Sequence, residues 1–287
     1  MLLLLGVCAQ GYSGKLEIPP KDKTQMITMQ DGSTLVGRIT SVGENEVKFQ
    51  TDMGEMTIAI AKIKDVKEVS SASFKGGQYW FPNPNATRLL FGPTGRTLKA
   101  EHGYVYDLWV FFPGVAFGLT DHFMIAGGAS LIPGLDDQMF YIMPKYGFPA
   151  GKDLNFAVSA VAFRLWVETF YFGLGTMTYG SEDRSFTCGL GVAFTDDKMA
   201  DKPAATLGGE YRLSRHSGLV LESWFIPGDV DEGVIGIGAL RLFGEQLTVD
   251  AGIGFSYQNK NTVENFGELS EEDEFDWIPY VDFVWNF

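Results

Sequence analysis

The clearest pattern in the chain is the alternation of apolar and polar side chains over its last thirteen residues. On a β-strand, successive side chains point to opposite faces, so an alternating sequence has one apolar face and one polar face. The apolar face here consists of Phe275, Trp277, Pro279, Val281, Phe283, Trp285 and Phe287, and the polar face of Asp276, Tyr280, Asp282 and Asn286. The wall of a membrane β-barrel requires strands with an apolar outer face and a polar inner face. A terminal strand of a soluble sandwich is the alternative interpretation.

Alternation of the same kind recurs from about residue 85 to the C terminus and predicts an antiparallel up-and-down barrel of about twelve strands. The candidate strands are 86–93, 103–119, 122–133, 138–148, 154–165, 170–180, 185–195, 204–213, 217–227, 233–243, 247–258 and 275–287. An even number puts both ends of the barrel on one side, with short turns there and longer loops on the other side. The alternation slips near Pro113 and near Ala239, and we interpret both slips as β-bulges.

The last strand resembles the closing strand of Gram-negative outer-membrane β-barrels, which ends on Phe after aromatic residues at alternate positions. The residues that carry this resemblance are Val281, Phe283, Trp285 and Phe287. The resemblance implies that they form an assembly signal read by the barrel assembly machinery. It also implies an outer-membrane location, in contact with outer-membrane lipid and lipopolysaccharide.

Residues 24–69 predict a separate small β module, because short alternating segments are cut by turn pairs such as Asp31-Gly32. The stretch resembles SH3-like modules of bacterial envelope proteins, which implies a periplasmic position and a periplasmic partner; a structural spacer is the alternative. Residues 70–84 predict a linker and residues 85–287 the barrel. Residues 1–9 are a short apolar run that predicts a signal-peptide remnant, with a lipidated Cys8 as the alternative.

Composition argues against several classes of function. The formal net charge of -14 opposes nucleic-acid binding, which needs a basic surface. The three histidines fall at loops or turns and form no outward Ser/His pair, so we predict that the protein is not an enzyme. Two cysteines without close histidine spacing predict neither a metal site nor a cofactor.

Ionisable side chains on the inward strand faces are the candidate functional residues, because a bilayer tolerates charge mainly toward a barrel interior. They are Arg88, Asp107, Lys145, Glu210, Arg212, Glu222, Asp250 and Asp282. Dense pairing of these charges would fill the lumen, whereas segregation by sign would select polar or charged solutes. Two hypotheses stay open: a channel or transporter-like pore for small polar or charged solutes, and a non-conducting envelope anchor whose N-terminal module or acidic outer loops bind a partner.

Overall fold

The structure is a computed structural model and describes residues 23–69, 73–75, 78–134, 137–165, 168–195, 199–226, 231–263 and 269–287. The chain divides into two compact units, Met1–Trp80 and Phe81–Phe287. Each unit has a buried apolar cluster of its own. The predictions for residues 1–9, including lipidation of Cys8, lie outside the described residues.

The N-terminal unit contains a five-stranded antiparallel sheet. Its strands are β1 (Gln25–Met29), β2 (Thr34–Val42), β3 (Glu46–Thr51), β4 (Gly54–Ala59) and β5 (Ile63–Glu68), with a 3-10 turn at Ile60–Lys62. The spatial order β4-β3-β2-β1-β5 places the last strand beside the first. Alternate strand positions Ile27, Ile39, Val47 and Phe49 are fully buried and form the small core. Two short strands, β6 (Phe74–Lys75) and β7 (Gln78–Tyr79), pair with each other.

The turn between β1 and β2 explains why Asp-Gly predicts a hairpin at this point. Gly32 has a φ of 84°, a conformation that glycine adopts without steric cost. Asp31 Oδ1 accepts hydrogen bonds from Ser33 Oγ at 2.6 Å and from Ser33 N at 2.9 Å. The bond from the Ser33 hydroxyl lowers the pKa of Asp31, because it stabilises the carboxylate that holds the turn together.

The second unit is a closed antiparallel barrel of twelve strands. They are β8 (Gly103–Leu108), β9 (Phe112–Gly118), β10 (Phe123–Ala129), β11 (Phe140–Pro149), β12 (Leu154–Leu165), β13 (Glu168–Gly180), β14 (Arg184–Thr195), β15 (Ala204–Ser214), β16 (Ser217–Ile226), β17 (Asp231–Phe243), β18 (Leu247–Val263) and β19 (Leu269–Asn286). The barrel closes where β19 pairs with β8. Gly103 and Phe287 exchange backbone hydrogen bonds of 3.0 and 2.9 Å at this seam. The predicted all-β architecture, a small β domain followed by a closed antiparallel barrel, is confirmed.

Two strand predictions were wrong, although the predicted number of twelve wall strands is correct because one error removes a strand and the other adds one. Residues 86–93 do not lie in the barrel wall, whose first strand is β8. Residues 103–119 form two strands, β8 and β9, instead of one bulged strand. Trp109 and Val110, between them, have positive φ angles of 52° and 66°. The slip near Pro113 therefore reflects a tight turn rather than a bulge.

The two ends of the barrel differ in part as the sequence predicts. We call the end that holds Gly103 and Phe287 the terminal end, and the opposite end the loop end. The turns at the terminal end are short: β13 leads into β14 through residues 181–183, and β15 leads into β16 through residues 215–216. At the loop end, β10 leads into β11 through the longer segment 130–139, but β8 leads into β9 through residues 109–111 alone, so the prediction of longer loops holds for only some loop-end connections.

The wall has the predicted apolar exterior. On β19, Phe283 and Trp285 are exposed outward, while Tyr280, Asp282 and Val284 are buried on the inward face. Strand β14 repeats the arrangement, with Phe186 and Leu190 among its exposed outward residues. An outward apolar belt around a closed barrel is the surface that lipid would cover.

Candidate functional site in the barrel lumen

The lumen is occupied by the chain's own residues 81–102, which we call the plug hairpin. The hairpin starts at the terminal end, where Arg212 Nη1 donates to Phe81 O at 2.7 Å, and returns there before Gly103. Leu89 and Leu90 near its apex are fully buried. Barrel diameter grows with strand number, and about eight strands already give an interior that side chains just fill. A twelve-stranded barrel is wider, and here a chain segment fills the additional space.

The two arms of the plug hairpin bind each other inside the barrel. Thr94 N donates to Thr87 O at 3.0 Å, and Leu89 N donates to Gly92 O at 2.9 Å. Arg88 and Pro93 form a bridge between these two bonds. Around this bridge the backbone is irregular, with a turn at residues 84–87 and bends at residues 89–92.

Glu222 on β16 holds the apex of the plug hairpin. Its carboxylate accepts backbone hydrogen bonds from Leu90 at 2.8 Å, Phe91 at 2.9 Å and Gly92 at 2.7 Å. The indole Nε1 of Trp224 donates to the same carboxylate at 2.6 Å. Successive backbone N–H groups form an anion-binding concavity, and here the anion is a buried side chain of the wall. The contact fixes the apex through its backbone rather than through its side chains.

Arg241 on β17 is fully buried and joins the plug hairpin to two wall carboxylates. Its Nε and Nη2 donate to the two oxygens of Asp250, each at 2.8 Å. Its Nη1 donates to Glu210 Oε2 at 3.1 Å, and its Nη2 also reaches Leu89 O at 2.6 Å. The bidentate geometry is the strong form of an arginine–carboxylate contact.

Arg88 forms the second ion pair of the lumen, from the plug hairpin to Asp282 on β19. The same guanidinium donates from Nη1 to Leu90 O at 2.8 Å. Tyr280 OH donates to that carbonyl at 2.9 Å. Both lone pairs of one apex carbonyl are thereby used, as a buried backbone group requires.

The arms below the apex are held mainly through backbone carbonyls. Lys145 Nζ on β11 donates to Thr87 O at 2.7 Å. Arg96, on the returning arm, donates from Nη2 to Gly180 O at 2.8 Å at the terminal end. The plug hairpin is therefore fastened along its length, from the terminal end to its apex.

Glycines on the wall and on the plug hairpin allow their backbones to approach closely. A Cβ atom at Gly208 would lie 2.5 Å from Leu89 Cδ1. A Cβ at Gly118 would overlap Lys99 O, and one at Gly95 would overlap Asn155 O. Larger residues at these positions would displace the hairpin from the wall.

The structure places the predicted lumen residues in three settings. Those with buried side chains on inward wall faces are Lys145, Glu210, Arg212, Glu222, Asp250 and Asp282. Arg88 is also buried, but it belongs to the plug hairpin. Asp107 differs, because Tyr104, Tyr106 and Leu108 are the inward residues of β8. Asp107 shares the other face with exposed Val105, and its Oδ1 accepts a hydrogen bond from Phe112 N at 3.2 Å.

Arg241 was missed because the alternation was interpreted as slipping at Ala239. Strand β17 pairs in continuous register with both neighbours, so Ile237, Ala239, Arg241 and Phe243 share its inward face. Ile237 packs against the buried cluster that contains Leu89 and Leu90. The inward face of β17 is apolar because it contacts the plug hairpin, not because the strand bulges.

Charges of opposite sign are interleaved in the described part of the lumen. Arg88 meets Asp282, Arg241 meets Asp250 and Glu210, and Arg212 meets Asp183 at 3.0 Å. Such an arrangement neutralises charge locally and produces little transverse field. Arg88 attaches the plug hairpin to the wall through its ion pair with Asp282, and Arg241 does so through its hydrogen bond to Leu89 O.

Among the described side chains, no group of three or more His, Cys, Asp or Glu is placed to hold a metal ion. Within the described ranges, no helix has the length and apolar character needed to cross a membrane.

The fold and the lumen together define a class of protein. It is a closed antiparallel β-barrel with an apolar exterior, and the plug hairpin, which precedes the first wall strand, fills the terminal half of its lumen. No family model matches the sequence, and no curated relative matches it. Among solved structures, the NanC porin aligns with a TM-score of 0.41 and 10% identity, over 65% of this chain and 98% of that one. The outer-membrane expressed OmpT of Vibrio cholerae aligns with a TM-score of 0.38 and 13% identity, over 94% of this chain and 100% of that one.

Proposed function

We propose that this protein is an outer-membrane β-barrel that is closed at rest by its plug hairpin and anchors its N-terminal module. The observation that carries the proposal is the set of three hydrogen bonds that the Glu222 carboxylate accepts from backbone N–H groups of the hairpin apex. A passive pore needs a continuous water path. The plug hairpin occupies the terminal half of the lumen, where that path would run. Its buried Arg88–Asp282 ion pair makes spontaneous departure costly.

The proposed location follows from the asymmetry of the barrel. Outer-membrane barrels have short turns on the periplasmic side and longer loops outside. The terminal end would then face the periplasm, and residues 24–69 would lie there and bind a periplasmic partner. The order β4-β3-β2-β1-β5, with its 3-10 turn before β5, supports an SH3-like module. The outward belt would contact outer-membrane lipid and lipopolysaccharide.

Membrane insertion is tested through the last strand, which we propose is read by the barrel assembly machinery. The double change Phe283→Ser and Trp285→Ser should leave the chain in the periplasm, where it is degraded. Leu190→Ser, on the equally outward face of β14, is the matched control and should still insert. Wild-type amounts of heat-modifiable barrel in the double variant would contradict the proposal.

Closure of the lumen is tested by electrical recording from planar bilayers. The full chain should give no discrete conductance steps. A variant that lacks residues 88–92 should give steps, because the apex and its backbone hydrogen bonds to Glu222 are removed. Heat modifiability and circular dichroism would show that both barrels are folded. Regular steps from the unaltered chain would refute closure at rest.

Gated passage of a small solute is the second candidate function. The observation that favours it is that both arms of the plug hairpin leave the lumen at the terminal end, so the hairpin can withdraw without breaking a wall strand. Glu222→Gln should then produce intermittent steps, while Asp201→Asn, at an exposed position between β14 and β15, should remain silent. Silence of Glu222→Gln together with conduction by the 88–92 variant would favour the anchor.

A further inference from the structure

The loop half of the lumen, beyond the apex of the plug hairpin, is lined by aromatic and aliphatic side chains. Phe172 on β13 and Trp224 on β16 have ring centroids 5.9 Å apart. Two strands, β14 and β15, separate them in the wall, so the rings meet across the concave inner surface. Trp224 also packs beside the apex, because a Cβ at Gly92 would lie 3.0 Å from its Cζ2. An aromatic surface therefore begins directly above the plug hairpin.

Three further side chains extend this surface and show that the space above it is open. Ile235 pairs opposite Trp224 and is 37% exposed. Ile278 shares the inward face of β19 with Tyr280 and is 48% exposed. Phe91 at the plug apex is 52% exposed, although its backbone N–H is bound inside the barrel. We call the space lined by Phe91, Phe172, Trp224, Ile235 and Ile278 the aromatic vestibule.

The opposite side of the lumen has the same character. Trp109, Phe112, Tyr141 and Met143 pack against the buried apolar cluster. Trp109 stacks edge-on against Tyr280, with centroids 5.5 Å apart. Its indole Nε1 donates to Pro279 O at 2.6 Å, so its one polar group is already used.

This lining is unusual for an interior that water fills, because lumens of that kind are polar. Glu222 borders the vestibule at the apex, and four donors already bind it. One of those donors is the indole of Trp224, so that ring also presents mainly its apolar face. The exposed carboxylate of Asp276 lies on the same inward face of β19 as Ile278, one position nearer the loop end, and is therefore a free ionisable group beside this surface. Pockets of this composition, with few free polar groups, are typical of sites for small organic ligands.

We propose that the aromatic vestibule binds an uncharged hydrophobic small molecule with planar aromatic rings. Tilted and edge-on ring contacts in the lining provide faces and edges for stacking. The plug hairpin forms the floor, so the ligand enters and leaves at the loop end. The proposal does not depend on whether the barrel conducts, and its test uses detergent-solubilised full-length protein.

The test measures protection of a thiol inside the vestibule. In a background with Cys8→Ser and Cys188→Ala, Ile278→Cys places a reporter thiol on the inward face, and Lys152→Cys places a control thiol in an exposed turn at the terminal end. The probe is N-phenyl-1-naphthylamine, and labelling by a water-soluble maleimide is timed with and without it. At a probe concentration about four times its dissociation constant, labelling of the Ile278→Cys thiol should slow about fivefold. Labelling of the Lys152→Cys thiol should not change.

A second comparison separates the vestibule from general partition of the probe into detergent. Phe91→Ala removes the exposed aromatic ring of the floor and should weaken probe binding about tenfold, because truncation of an aromatic side chain that a ligand covers commonly costs that much. Phe186→Ala makes the same change on the outward face of β14 and should leave protection intact. Equal slowing at both reporter positions, no slowing at either, or protection that survives Phe91→Ala would overturn the proposal.

Discussion

Glu222→Gln is the change that best tests how the plug hairpin is held. Glutamine keeps the shape of the side chain but removes its charge and replaces one acceptor oxygen with an NH₂ group. Hydrogen bonds to charged groups contribute about 1.5–3 kcal/mol and neutral ones about 0.5–1.5 kcal/mol. Leu90, Phe91 and Gly92 donate to this carboxylate through their backbone N–H groups. A loss of about 1 kcal/mol per bond weakens the apex by about 3 kcal/mol, which corresponds to about a hundredfold larger open fraction.

Amide hydrogen exchange at the plug apex measures that fraction directly. In the Glu222→Gln variant, the amides of Leu90, Phe91 and Gly92 should exchange about a hundred times faster, because exchange of a locally protected amide follows the opening equilibrium. Strand amides elsewhere in the barrel should be unaffected. Asp201→Asn is the control, since it removes an exposed carboxylate that lies between β14 and β15 and takes no part in the plug-hairpin contacts described above. Unchanged exchange at the apex of a folded Glu222→Gln barrel would refute this account of the site.

Three further predictions follow from packing and exposure. Gly208→Ala should destabilise the barrel by about 1–3 kcal/mol in denaturant unfolding, because the new Cβ would lie 2.4 Å from the backbone oxygen of Leu221 and 2.5 Å from Leu89 Cδ1, and no change in the midpoint would contradict this. In lipid vesicles, half-buried Cys188 should react with a lipid-soluble maleimide and not with a membrane-impermeant one, since it shares its strand face with outward Phe186; the reverse selectivity would invert that face. Isolated residues 23–69 should show a cooperative thermal transition of low stability, and its absence would argue against an independent module.

Sequence alone predicted the parts of the fold in which one strand face contacts the interior and the other face is exposed. The faces of β19 follow directly from alternation, because outward Phe283 and Trp285 flank inward Asp282 and Val284. The small N-terminal sheet was predicted for a related reason: its turns carry local signals such as Asp31-Gly32. Both signals depend on neighbours in sequence, which a single chain displays.

The plug hairpin could not be distinguished from a wall strand by alternation. Its apolar run Leu89-Leu90-Phe91 is typical of a strand, and one β-bridge, between Arg88 and Pro93, joins its arms. A segment inside a barrel contacts protein on every side, so adjacent side chains are buried together. Consecutive Leu89 and Leu90, both fully buried, were the available signal. The apolar inward face of β17, which contacts the plug hairpin, was the corresponding signal in the wall.

The lumen contacts also explain why the interior combines ion pairs with an apolar cluster. Apolar packing between Leu89, Leu90 and the wall excludes water, but it is non-directional and would tolerate a shift of the hairpin along the barrel. The carboxylate of Glu222 and the guanidinium of Arg241 accept few alternative positions, because each binds particular backbone groups of the hairpin. Removal of Arg241 would leave Asp250 and Glu210 buried without their shared partner. The loss of stability would then exceed the net stabilisation that the intact ion pairs provide. The apolar cluster therefore supplies much of the burial energy, and the charged groups determine the register at which the plug hairpin sits.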